Sequence, residues 1–129
     1  MQLYQVYSPL TVVATHEEPL VAVAARMRFN DVGCAAVVDE DNVLVGIITE
    51  RDVVRAVADG ADIEKTPAHD YMTSDPTVAA PETEIREAAR IMLDLGVRHL
   101  PVVTPDGRLI GLASVRDLLL ELLWAPRDL

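Results

Sequence analysis

The chain states one passage twice. Gly46-Ile47-Ile48-Thr49-Glu50-Arg51-Asp52 returns 65 residues later as Gly111-Leu112-Ala113-Ser114-Val115-Arg116-Asp117. The register then holds without a gap: Val37-Val38 matches Val102-Val103, Asp41 matches Asp106, and Leu44 matches Leu109. The apolar set Leu20, Val23, Ala24 and Met27 matches Ile85, Ala88, Ala89 and Met92. A repeat of this kind makes each half one supersecondary unit that cannot bury its apolar face alone, so the two halves are expected to share a core. With 129 residues the chain is long enough for one domain, 1–129, with a modest core. Half of it is hydrophobic and only 4% aromatic, so that core must be built from Val, Leu, Ile, Ala and Met.

Each half follows the same order of signals. Residues Met1 to Leu10 read as an entry segment. Thr11-Val12-Val13-Ala14 is a short β-prone run. Pro19 opens a helix whose apolar positions recur at i, i+3, i+4 and i+7. Cys34 to Val38 is a buried strand by composition, Asp39 to Asn42 a turn, Val43 to Ile48 a strand, and Glu50 to Ala58 a helix. A polar connection from Gly60 to Asp70 follows, with a helical turn near His69. The second half then gives Thr77-Val78-Ala79 as the short strand and a helix around Ile85–Met92. The strands His99–Val103 and Leu109–Ala113 and a last helix, Val115–Leu123, complete it. The expected fold is α+β: two β-α-β-β-α repeats, 8–60 and 72–124, forming an α/β sandwich with a pseudo-two-fold axis.

The doubled passage carries the chemistry. Its apolar residues end a strand, and its hydroxyl and aspartate begin a helix, in the spacing of a capping box. A helix N-terminus also leaves backbone N–H groups free for an anion, and capping is compatible with that use. The formal charge of −10 argues against nucleic acid or an anionic membrane as partner. A bound phosphate must therefore be held by a local set of cations and backbone donors. Cys34 is the single cysteine and reads as a small buried hydrophobe. His16, His69 and His99 lack metal-ligand spacing, and no nucleophile–base set emerges, so the chain reads as a non-enzyme. Its first residues lack a signal-peptide pattern and no apolar run approaches membrane-spanning length, which together predict a cytoplasmic protein.

The repeated motif, together with Gly96-Val97-Arg98-His99-Leu100-Pro101-Val102-Val103, resembles a tandem pair of cystathionine-β-synthase (CBS) domains over roughly residues 8–123. The first half departs from the second stretch, with Cys34 and Ala36 in place of His99 and Pro101. Stand-alone CBS pairs of bacteria are the nearest likeness. The resemblance implies a regulatory module binding AMP, ADP, ATP or a related adenosyl ligand in a central cleft, with Mg2+ accompanying ATP. It implies that the aspartate takes the ribose hydroxyls and the Thr or Ser the phosphate. One pocket would combine Ser114 and Asp117 with Val12, Val32 and Gly33, aided by His99 and Arg116. The other would combine Thr49 and Asp52 with Thr77, Val97 and Arg98, aided by Arg51.

Leu118, Leu119, Leu120, Leu122 and Leu123 place apolar side chains all round the last helix, with Trp124 just after. Val53, Val54 and Val57 stand on the earlier helix at the matching positions, 65 before Leu118, Leu119 and Leu122. One face is left over once the core is covered, which predicts a homodimer through the helices of both repeats. The other reading is a dimeric interaction module whose cleft holds no nucleotide. An unidentified protein target is expected in either case.

Overall fold

The protein is known from a computed structural model, which describes residues 1–8 and 12–124. Thr11, expected in the first strand, lies with Pro9 and Leu10 outside the described residues. The elements are a 3-10 turn at Leu3–Gln5, β1 (Val13–Ala14), α1 (Leu20–Phe29), β2 (Cys34–Val38), β3 (Leu44–Thr49) and α2 (Glu50–Ala58). A second 3-10 turn follows at Ala68–Asp70, then β4 (Thr73–Ser74), α3 (Ile85–Leu95), β5 (His99–Val103), β6 (Leu109–Ser114) and α4 (Val115–Trp124). The class is mixed α and β, as the sequence predicts.

Two compact units divide the chain. One joins 12–76 with Gly107–Leu109; the other joins 1–8, Thr77–Asp106 and 110–124. In the first, the strand order is β1-β2-β3-β4. β1 runs parallel to β2, with Ala14 opposite Val37. β2 and β3 are antiparallel, with Cys34 opposite Thr49 and an irregularity at Val37/Val38. β2 is buried along its whole length, which is why it reads as an unbroken apolar run. Leu20, Val23 and Met27 of α1 bury against Val37, Ile48 and Ala56. The loop before α1 is tied by Glu18, whose carboxylate takes both Arg26 guanidinium nitrogens at 2.8 and 2.9 Å and the Thr15 N–H at 2.9 Å. The hydrogen bond from Arg26 holds this carboxyl below its usual range.

In the other unit β5 pairs with β6, and Leu100, Val102, Ala113 and Leu118 pack with Ile85, Ala88 and Met92 of α3. Gly96 ends α3 at φ +66°, a left-handed position that glycine takes without a Cβ clash. The short strand expected at Thr77–Ala79 is reduced to one bridge, Ala79 to Val102. The reason is Pro101. In the first repeat Ala36 donates its N–H to the Val12 carbonyl at 2.9 Å, and Pro101 at the matching position has no N–H to give.

The entry segment and the central connection have a role that composition does not show. Leu3 is fully buried in the core of the second repeat, and Ala68 in that of the first. Their hydrogen bonds correspond one for one. Leu3 N–H donates to Thr83 O as Ala68 N–H does to Glu18 O, both at 2.8 Å. Tyr4 donates to Pro81 O and His69 to His16 O, both at 2.9 Å. Each leader thus completes the repeat that does not follow it.

Candidate functional site

Two strand-to-helix corners carry the residues singled out by the repeat. Thr49 is the N-cap of α2, in extended conformation. Its Oγ1 accepts from Asp52 N at 3.3 Å, and Asp52 Oδ2 accepts from Thr49 N at 2.8 Å and Thr49 Oγ1 at 3.0 Å. Arg55 Nη2 lies 3.3 Å from the other carboxylate oxygen, Oδ1. Asp52 is 7% exposed. At the second corner Ser114 Oγ accepts from Asp117 N at 3.1 Å, and Asp117 Oδ2 accepts from Ser114 N at 3.4 Å. Asp117 is only half-buried, and Leu120 stands where Arg55 would be.

Each corner is tied to the loop that enters its own repeat's central strand. Glu50 N–H donates to Gly33 O at 3.0 Å, and Val115 N–H to Arg98 O at 2.8 Å. Thus Val32 and Gly33 lie beside the Thr49 corner, and Val97 and Arg98 beside the Ser114 corner. Val12 holds β2 through its carbonyl. His99 opens β5 half-buried, while Thr77, Val97 and Arg98 are exposed. The grouping across repeats expected from the resemblance stays a proposal.

Arg51 and Arg116 occupy the second position of their helices, and both are exposed. A cation there opposes the helix dipole, at a cost of about 0.3–1 kcal/mol. The chain has 21 acidic residues to its 11 basic ones, yet among the described residues neither arginine forms an ion pair. A cation placed against the dipole and left unpaired, twice, suits an incoming anion.

Cys34 lies opposite Thr49 in the sheet, wholly buried. Burial pushes its thiol up to about 12, and the Glu50 charge adds to the effect. The thiolate is the reactive form. Folded protein at pH 8 is therefore expected to leave a thiol reagent such as dithionitrobenzoate unreacted over minutes in which denatured protein titrates one thiol. Prompt reaction of the folded form would contradict this placement.

A cavity of about 460 Å³ lies at the other end of the β2–β3 pair, lined by Thr15–Glu17 and Val38–Asp41. It contains none of the expected site residues. Among the described residues, no group of three or more His, Cys, Asp and Glu side chains is placed to hold a metal. Nor is any described helix long and apolar enough to cross a membrane. Arg55 is the residue that sequence reading passed over. Its signal was the Asp52-x-x-Arg55 spacing, which puts the pair on one helix face.

The family model described as "CBS domain" matches residues 7–59 and again 68–123. The chain belongs to the CBS domain family. It is 44% identical over 100 residues to an uncharacterized 17.7 kDa protein of Acidianus ambivalens, covering 78% of this chain and 60% of that one. A solved CBS domain protein from Pyrobaculum aerophilum, PAE2072, complexed with AMP, is 29% identical with a TM-score of 0.86, covering 97% of this chain and all of that one. Inosine-5'-monophosphate dehydrogenase of Methanocaldococcus jannaschii is 42% identical over 83 residues, 64% of this chain but 16% of the enzyme. The matched stretch of this chain spans 60%, 53% and 30% of the length of three curated relatives.

Proposed function

We propose that this CBS pair is a sensor module that binds an adenine nucleotide (AMP, ADP or ATP) or a related adenosyl compound and signals to a protein partner. The observation that carries the reading is the unpaired arginine beside a capping aspartate at both corners. The AMP complex of the Pyrobaculum relative supports the choice of ligand. Asp117 accepts hydrogen bonds from the ribose diol, which a carboxylate can do twice. Ser114, the positive end of the α4 dipole, Arg116 and His99 serve the phosphate. Val12, Val32 and Gly33 line the base in this set. Thr49, Arg51, Asp52, Thr77, Val97 and Arg98 form the second set, without a histidine because Cys34 stands in the place of His99. ATP would carry Mg2+ to offset its extra charge on so acidic a chain.

In this reading the module does no chemistry on its ligand. It acts by binding two conformations unequally, which is the only way a ligand shifts such an equilibrium. It works in the cytoplasm as a homodimer, with an unidentified protein as target. The dimer alone would also suit a pure interaction module, and the exposed Val54, Val57, Leu119, Leu120 and Leu123 favour that part of either reading.

Calorimetry with AMP and ATP tests the ligand. Asp117→Ala is expected to lose about 1.5–3 kcal/mol of binding, the worth of a charge-assisted contact, or roughly 10- to 150-fold in Kd. Asp52→Ala should lose less. Both variants also lose a capping contact, so binding is read well below their melting transitions. ATP should be recovered intact from the mixture. Unchanged affinity in both variants would end the nucleotide reading.

A further inference from the structure

Arg55 is held by more than one contact. Its Nη2 reaches Asp52 Oδ1 at 3.3 Å and the Tyr71 carbonyl at 3.2 Å. Its guanidinium carbon lies 5.7 Å from the centre of the Tyr71 ring, within the range of a cation–π contact. The Tyr71 hydroxyl in turn donates to Asp59 Oδ2 at 2.9 Å. This network joins α2 to the segment between the repeats. The matching positions of the second repeat cannot form it, since Leu120 stands for Arg55 and Val6 for Tyr71.

The two aspartates therefore differ in acceptor capacity. A carboxylate offers about four lone-pair sites. Asp52 already receives Thr49 N–H and Thr49 Oγ1–H, which leaves about two, both on Oδ1, and there the Arg55 guanidinium is set against it as an ion pair at 3.3 Å. Among the described residues Asp117 receives only Ser114 N–H, which leaves about three. A ribose diol needs two. The hydroxyl protons differ likewise, since that of Thr49 is given to Asp52 while Ser114 has no such bond to Asp117.

We infer that Arg55 is a specificity-determining residue that keeps Asp52 from a ribose diol, so that the two repeats bind nucleoside unequally, with Asp117 the stronger acceptor; this rests on the reading of both aspartates as ribose acceptors. Arg55 touches the acceptor and acts through it. Replacing it with the residue that the second repeat carries should free the acceptor site.

The probe is adenosine, because removing a cation would also weaken attraction for a phosphate. Calorimetry is run on Asp117→Ala, where the Asp52 acceptor is read alone, and on the same background with Arg55→Leu or Arg55→Gln. Both double variants are expected to bind adenosine about fivefold more tightly than Asp117→Ala, as loss of a partly exposed ion pair allows. In the otherwise unchanged protein, Arg55→Leu should tighten the weaker phase and leave the stronger one in place. A merely structural role would instead lower the melting temperature and weaken both phases. Double variants no tighter than Asp117→Ala, with wild type still binding adenosine through Asp117, would overturn the role of Arg55 alone. Equal adenosine binding by wild type and Asp52→Ala/Asp117→Ala would overturn the ribose reading, and this inference with it.

Discussion

Gly111→Ala is expected to destabilise the protein by about 3 kcal/mol, and Gly46→Ala by about 1 kcal/mol, within the usual range for overpacking. The two glycines open the two copies of the repeated passage, and neither needs a positive φ. They are glycines because a leader crosses them. A Cβ on Gly111 would sit 2.3 Å from Tyr7 Cδ2 and 2.6 Å from the Ser8 carbonyl oxygen. That carbonyl is backbone, and Ser8 exchanges hydrogen bonds with Leu112 at 3.0 and 3.1 Å. Relief would require breaking this pair and lifting the leader away from the second repeat. At Gly46 the nearest atom is Met72 Sδ at 2.6 Å, while the Thr73 carbonyl oxygen is at 3.0 Å. A thioether on a three-bond stem can swing aside. Urea midpoints at constant m-value measure both losses. Equal small losses would mean that the leader yields as easily at Tyr7 as at Met72.

These glycines mark the boundary of what the sequence told. The repeat announced them, since it began with them, but not the reason for them. Elements were legible where side chains decide: the i, i+3, i+4, i+7 set of α1 and α3, the unbroken apolar run of β2, the caps at Thr49 and Ser114. The capping aspartates were legible for the same reason, since their first partners lie three residues away. The leaders were not. Leu3 and Ala68, or Tyr4 and His69, share backbone hydrogen bonds and little side-chain chemistry, so the gapless match fades just where the chain exchanges repeats. The short strand at Thr77–Ala79 failed for a reason present in the sequence. Pro101 departs from Ala36 of the first half, but its missing N–H matters only once the parallel neighbour is known. Arg55 lay in plain spacing from Asp52, yet its effect on acceptor capacity appears only when every donor to that carboxylate has been placed.

The leucines of α4 should separate into two classes under substitution. Leu118 is wholly buried, and Leu122 half-buried one turn on; Leu119, Leu120 and Leu123 are 49%, 49% and 76% exposed. One face therefore serves the core of its unit and the next is left over. α2 repeats the division, with Val53 half-buried and Val54 and Val57 exposed by 64% and 60%. Leu118→Ala is expected to cost about 2–5 kcal/mol of stability, since it removes a core side chain and leaves a cavity. Leu119→Glu with Leu123→Glu should change the stability of the single chain by less than about 0.5 kcal/mol. If the surplus face is an isologous interface, as we propose, the same pair of charges would be desolvated against their own copies across a two-fold axis. The double variant should then sediment at the 14.1 kDa of one chain at micromolar concentrations where the unaltered protein sediments at twice that mass. Unaltered protein at the mass of one chain, or a double variant that keeps the doubled mass, would show that another surface or another partner covers these leucines.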